Sequence, residues 1–272
     1  MQEHQAVVDG VAVRWLEEGD GVPVVLVHGI PTNPGLWRHV APRVPAARCL
    51  AFELVGFGDS IPAGRGRDIS LPAQAGYLIA WLEHLGLERA VLVGHDLGGG
   101  VVQIVATRRP DLAAGLLLTN CVGYDNWPVP PIRALQLTAP AVSLLPAPAL
   151  LPALSSFALL GHDQLRTARE SLPVHYGPYR RHGGGAALAR QVRPLDVRHT
   201  LAVQHLLPTL DVPARVVWGA ADHMLPVRYG ERFARDLRTD LRRIEGGKHF
   251  TPEGHPDVLA EEIDALVQRA AA

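Results

Sequence analysis

Gly94-His95-Asp96-Leu97-Gly98-Gly99 stands between the apolar run Arg89-Ala90-Val91-Leu92-Val93 and a segment, 101–108, with the apolar spacing of a packed helix. The run is short, rich in β-branched residues and stopped by glycine, which predicts a buried parallel strand. Small residues on both sides of Asp96 let the chain turn sharply and hold that side chain up at a strand-to-helix elbow. A serine at this position would point to acyl transfer. An aspartate is already ionised at neutral pH, so it can attack an electrophilic sp3 carbon without a base. Attack on an ester carbonyl would give a labile anhydride, which makes ordinary esterase chemistry the poorer fit. The plain alternative is that Asp96 caps the following helix. The turn also lacks the G-x-G-x-x-G spacing of a dinucleotide site. Residues elsewhere in the chain must decide.

Outward from the elbow, strand and helix alternate. Residues 6–8 and 11–16 flank Asp9-Gly10, a two-residue hairpin signal. Strands are expected at 22–27, 49–54 and 115–119, and helices at 36–44 and 71–85, where Leu78, Trp81, Leu82 and Leu85 share a face. The pattern specifies an α/β fold: a mostly parallel sheet with helices on both faces and right-handed crossovers. It stops at Tyr124. Residues 125–205 are rich in proline, alanine and leucine, carry glycine clusters such as Gly183-Gly184-Gly185, and give no strand signal. Alternation resumes with a strand at 214–218, a helix at 227–237, a strand at 241–244 and a helix at 256–270. The expectation is one α/β core, residues 1–124 and 206–272, interrupted by an inserted helical cap at 125–205. No internal repeat is visible.

A chain of 272 residues that is 47% hydrophobic can bury a large core. A net charge of −1 gives no electrostatic case for nucleic acid or an anionic membrane as partner. The two cysteines, Cys49 and Cys121, sit in apolar stretches without metal-ligand spacing, so buried free thiols are expected. No signal peptide and no apolar run of ~18 residues is visible, and a cytoplasmic protein is the default expectation. Nothing in the sequence speaks against a homodimer.

Two further positions complete a constellation with Asp96. Asp222 follows the strand Arg215-Val216-Val217-Trp218, within Gly219-Ala220-Ala221-Asp222-His223. His249 follows the last expected strand, within Gly246-Gly247-Lys248-His249-Phe250. All three lie just past the carboxyl end of a strand, the edge of an open α/β sheet where ligands bind. Singly, Asp222 reads as a turn residue and His249 as a surface histidine. Together, in the order nucleophile, acid, histidine, they read as a triad. Chemistry at Asp96 also needs two backbone N–H donors aimed at a developing oxyanion. The residue after the nucleophile, Leu97, and the loop His28-Gly29-Ile30-Pro31, through Ile30, are placed to give them. His28 is expected to be structural, packing beneath that loop.

The motifs His28-Gly29-x-Pro31-Thr32, Gly56-Phe57-Gly58-Asp59-Ser60, Gly94-His95-Asp96-x-Gly98-Gly99, Gly219-x-x-Asp222-x-x-x-Pro226 and Gly247-x-His249-Phe250 span the chain outside the cap. In them the sequence resembles the α/β-hydrolase superfamily, and within it the aspartate-nucleophile branch of haloalkane dehalogenases and epoxide hydrolases. The resemblance implies that Asp96 is the nucleophile, Asp222 the acid and His249 the base, with no cofactor or metal. Two departures stand out. In that branch a tryptophan usually follows the nucleophile and cradles a leaving halide with its indole N–H; here it is Leu97. Dehalogenases also tend to carry Asn or Glu at the position of Ile30. A buried halide without donors is costly. Trp127 is a candidate to supply an N–H from the cap.

Epoxide hydrolases of the branch use two cap tyrosines to protonate the opening alkoxide. Candidates here are Tyr176 and Tyr179, in His175-Tyr176-Gly177-Pro178-Tyr179, which reads as a proline-rich turn, and Tyr124 at the cap entrance. His175 or His205 are candidates for a second donor. The sequence reading is therefore a hydrolase that forms an alkyl ester on Asp96 and opens a small or medium hydrophobic epoxide to a diol. Carbon–halogen hydrolysis is the runner-up, supported by Pro31-Thr32. Ester or lactone hydrolysis and a non-catalytic binding protein on a hydrolase scaffold are the remaining alternatives.

Overall fold

The computed structural model describes residues 1–271. Strands β1 (Gln2–Val8) and β2 (Val11–Glu18) form the antiparallel hairpin around Asp9-Gly10, both of which take positive φ. The remaining strands are β3 (Val22–Val27), β4 (Ala47–Phe52), β5 (Ala90–Asp96), β6 (Ala113–Cys121), β7 (Ala214–Gly219) and β8 (Leu241–Ile244). They join one eight-stranded sheet in the order β1-β2-β4-β3-β5-β6-β7-β8. Pairing is parallel from β4 across to β8, and β2 meets β4 antiparallel. Strand β5, which ends at Asp96, is thus central, with β3 on one side and β6 on the other.

The helices in chain order are α1 (Leu71–His84), α2 (Leu97–Arg108), α3 (Pro130–Leu137), α4 (Ala139–Val142), α5 (Ala147–Gly161), α6 (Leu165–His182), α7 (Gly184–Val192), α8 (Arg198–Leu201), α9 (Arg228–Asp236), α10 (Thr251–Gly254) and α11 (Pro256–Ala271). Side chains alternate across the sheet, as a period of two dictates. Val25, Val27, Leu50, Phe52 and Leu92 pack with α1 and α2 through Leu78, Trp81, Val101 and Val105. Val24, Leu26, Ala51, Val91 and Val93 face the opposite way, toward Leu259, Ile263 and Leu266 of α11. Both faces are covered, which is why β3 and β5 read as continuous apolar runs. Cys49 and Cys121 are buried and unpaired.

Two expectations are corrected. Residues 36–44 form two short 3-10 turns, Pro34–Trp37 and Ala41–Arg43, and not one helix. Pro42 has no N–H to give, and its ring would crowd the carbonyl of residue 38; Leu36, Trp37 and Val40 are nonetheless fully buried. The stretch 175–179 is not a turn but lies inside α6, which carries Pro173 and Pro178. Each proline removes a helical hydrogen bond, and burial of Ser171, His175, Tyr176 and Tyr179 along one face offsets the loss. Between β6 and β7 the described chain is helical, and the run continues through a 3-10 segment, Gln204–Thr209, past residue 205. No described helix is long and apolar enough to cross a membrane.

Candidate active site

Asp96 ends β5 and α2 begins at the next residue. Its φ of 51° and ψ of −123° lie in a region that costs a non-glycine residue roughly 1–3 kcal/mol. Tight packing enforces the elbow. A Cβ at Gly98 would come within 2.1 Å of the Val27 carbonyl oxygen, and one at Gly29 within 2.0 Å of Asp96 Oδ1. The side chain does not cap α2. Instead Oδ1 accepts from the Ile30 N–H at 2.8 Å, and the carboxylate also accepts from the Leu97 N–H. The two backbone donors expected around an oxyanion therefore converge on one carboxylate. Burial pushes its pKa up, partly countered by the charge of His249 and by those two N–H groups.

His249 stands in the loop after β8. Its Nδ1 donates to Asp222 Oδ2 at 2.9 Å, while Nε2 is buried with no hydrogen-bond partner, 3.7 Å from Asp96 Oδ2. Burial pulls the imidazole pKa down, but the Asp222 charge and hydrogen bond, helped by Asp96, outweigh it and raise the net value. Asp222 goes the other way. Burial raises it, and His249, Asn120 and the Leu225 N–H together hold it below the usual carboxylate range. A histidine oriented by one carboxylate, with its free nitrogen toward a second, is equipped to take a proton from a water beside Asp96.

Three supporting residues escaped the sequence reading. Asn120, at the end of β6, donates to Asp222 Oδ2 at 2.7 Å and accepts from the Gly219 N–H at 3.0 Å. Its place on the ligand-bearing sheet edge was the available signal. His95, next to Asp96, donates through Nε2 to the His249 carbonyl at 2.9 Å, and burial drives its pKa down to about 3. Thr251 ties the same loop to Thr119 and Asn120. His28 lies beneath the Ile30 loop, donating through Nδ1 to the Gly29 carbonyl and accepting from the Leu54 N–H at Nε2.

Beside Asp96 lies a cavity of only about 30 Å³, walled by Ile30, Leu97, Val122, Ile132, Phe157 and Leu195, with Trp127 and His249 also on its surface. The cap candidates divide sharply. Trp127 presents its ring to the cavity, but its indole N–H donates to Thr200 Oγ1 at 2.7 Å, so it is not free for a halide. Tyr124 donates its hydroxyl to Asp236 at 2.8 Å under the Arg232 guanidinium. Tyr179 donates to Gln191 Oε1 at 2.6 Å. Neither borders the cavity, and His205 is exposed on the 3-10 segment. These four are corrected as donors, because a nearby acceptor or solvent claims each polar group. Tyr176 and His175 line a second chamber, bounded by Pro31, Thr32, Leu154 and Phe250, which shares the Phe157 side chain with the first. Among the described residues the Tyr176 hydroxyl has no protein partner.

Residues 22–145 match a family model described as the alpha/beta hydrolase fold. An uncharacterised protein of Mycobacterium tuberculosis is 30% identical over 268 residues, covering 92% of this chain and 76% of that one. The chain belongs to the α/β-hydrolase superfamily. A haloalkane dehalogenase of Bradyrhizobium diazoefficiens is 28% identical over 292 residues, covering 95% of this chain and 92% of its own. The solved epoxide hydrolase CorEH has the same fold, with a TM-score of 0.81 at 20% identity over 98% of each chain. At the strand-to-helix elbow of this fold the chain carries an aspartate, with a second aspartate after β7 and a histidine after β8.

Proposed function

We propose that this hydrolase works through a covalent alkyl ester on Asp96 and opens a small or medium hydrophobic epoxide to a diol. One observation carries the reading: Asp96 Oδ1 accepts from the Ile30 N–H, the Leu97 N–H also bonds the carboxylate, and Oδ2 faces the partnerless Nε2 of His249. Asp96 Oδ2 attacks an epoxide carbon, the C–O bond breaks, and the alkoxide takes a proton from an acid on the cap. Oδ1 becomes the ester carbonyl oxygen. His249 then removes a proton from water, the hydroxide attacks that carbonyl, and the tetrahedral oxyanion forms where two N–H donors already point. Collapse expels the diol oxygen, which takes the imidazolium proton, and the proton left on the regenerated Asp96 carboxyl group returns to the deprotonated cap acid, restoring both groups. Tyr176 is the acid this reading selects; it lines the adjoining chamber and not the cavity at Asp96, so the Phe157 side chain shared by both must move aside for it to reach the alkoxide.

Carbon–halogen hydrolysis is the second reading, favoured by the dehalogenase relative. Leu97 and Ile30 offer no side-chain donor, and the Trp127 N–H is committed to Thr200. A halide departing into this apolar cavity would stay unpaired.

The test uses the step that each residue controls. Ester formation needs ionised Asp96 and, for an epoxide, the cap acid, but no base, whereas its hydrolysis needs His249. In His249→Gln the ester should accumulate, and intact-protein mass should rise by the whole epoxide or, for a haloalkane, by the alkyl group alone. The Asp96→Asn, His249→Gln double variant should stay unmodified. An unchanged mass in His249→Gln, with binding of the same compound demonstrated, overturns Asp96 as nucleophile.

A further inference from the structure

Glu253 lies four residues beyond His249, in α10, with its side chain fully buried. No step proposed above uses it. Its Oε2 accepts from the Ser171 hydroxyl at 2.6 Å and from His162 Nε2 at 2.9 Å. Its Oε1 accepts from His175 Nε2 at 3.3 Å and from the Arg38 guanidinium. Burial alone would push this carboxyl up; the charge of His175, the bonds from His162 and His175, and the Arg38 charge hold it well below the usual range. Arg38 belongs to the core, next to the turn Pro34–Trp37, while His162, Ser171 and His175 all belong to the cap. One carboxylate therefore joins the two bodies at the point where both meet the site.

The backbone repeats the connection. The Phe250 N–H donates to the Gly161 carbonyl of α5 at 3.0 Å, so the residue after His249 is hydrogen-bonded to the cap directly. With Nε2 held by Glu253, His175 keeps Nδ1 buried and without a partner, in the same chamber wall as Tyr176. Two other charged ties join core and cap among the described residues: His255 to Asp163 at 3.0 Å, just past α10, and Asp59 to Arg181 and His182 at the far end of α6.

We propose that Glu253 is a positioning residue that sets both sides of the reaction at once, by fastening the part of α6 that carries Tyr176 to the loop that carries His249. For Tyr176 this rests on the epoxide reading; the fastening itself can be read without any substrate. Loosening it should disturb the base and the acid together.

The experiment compares full-length Glu253→Gln, Ser171→Ala and Asp59→Asn proteins. Gln keeps the shape but turns an NH2 toward neighbours that are already donors. Two substrate-free readouts apply: the imidazole resonances of His249 in 15N-histidine-labelled protein, and amide exchange across residues 161–179. Glu253→Gln should move the His249 Nδ1–H resonance and speed exchange there at least about tenfold. Ser171→Ala should do both to a smaller degree and decides the matter if Glu253→Gln does not fold. Asp59→Asn should loosen the end of α6 and leave the His249 resonance in place. An unmoved His249 resonance in Glu253→Gln, or in Ser171→Ala if that is the folded variant, overturns the proposal. So does an equal shift in Asp59→Asn. On an epoxide that alkylates the wild type, Glu253→Gln should slow both ester formation and ester hydrolysis about tenfold or more, and Asp59→Asn neither. A wild type that turns over no epoxide or haloalkane would refute the proposed reaction, and the resonance and exchange data would still decide the role of Glu253.

Discussion

Asp96 and His249 are coupled through charge, and that coupling changes during the proposed reaction. His249 is held above its ordinary pKa because Asp222 and Asp96 together outweigh burial. Alkylation converts Asp96 from a carboxylate to a neutral ester, which deletes one of the two charges that raise the imidazole pKa. The base is thus released when a water must be deprotonated. Asp96→Asn imitates that neutral state. In this variant the His249 pKa, followed by its ring resonances, should fall below the wild-type value. Ester hydrolysis in the wild type should accordingly persist to lower pH than the titration of His249 in the free enzyme would allow. An identical His249 pKa in both proteins would mean that Asp96 does not act on the imidazole.

At the scale of elements, legibility followed periodicity. Asp96, Asp222 and His249 stood out as candidates because each follows the carboxyl end of an expected strand, and the end of a parallel strand is a defined place in space. The cap offered no such landmarks. Tyr124, Trp127 and Tyr179 are amphipathic side chains whose polar ends find partners, Asp236, Thr200 and Gln191, that are remote in the chain or a helix away. Prolines inside α6 disguised a helix as a turn, since burial outweighed local propensity. The two tyrosines of that helix should now behave differently. Tyr176→Phe should slow ester formation from an epoxide by ~100-fold, as losing one donor in a dry site does, with little change in stability. Tyr179→Phe should leave that rate intact but strand the buried Gln191 oxygen, costing about 1–3 kcal/mol in urea unfolding. Stopped-flow or quenched mass measurements of ester formation separate them. Equal rate losses in both would remove Tyr176 from its assigned place.

Across the whole molecule, pH-dependent stability provides a readout independent of catalysis, because burial raises the acids Glu53 and Asp96 while Asp222 and Glu253 are held low. Glu53 follows β4 and braces the motif Gly56-Phe57-Gly58-Asp59-Ser60. It accepts from the Asp59 N–H and from the Ser60 hydroxyl, each at 2.9 Å, with Arg14 at 3.4 Å. Burial dominates these bonds and lifts its pKa from 4.5 to about 7. The folded protein therefore binds this proton more tightly than the unfolded chain does. Stability should decline as pH rises between those two values, by about 3 kcal/mol in total. Glu253 has the opposite sign, but its depressed pKa confines its effect to pH below the ordinary glutamate range. His249, raised above 6.5, loses its contribution as pH climbs through its folded value, in the wild type and in a Glu53 variant alike. The difference between wild type and Glu53→Gln isolates the one group. Gln keeps an acceptor for Asp59, stays neutral, and should gain on the wild type steadily from pH 4.5 to 8 in urea unfolding. A stability difference that is flat across that interval would mean that Glu53 titrates as an ordinary surface carboxylate, and that the motif is braced by something other than a protonated, buried acid.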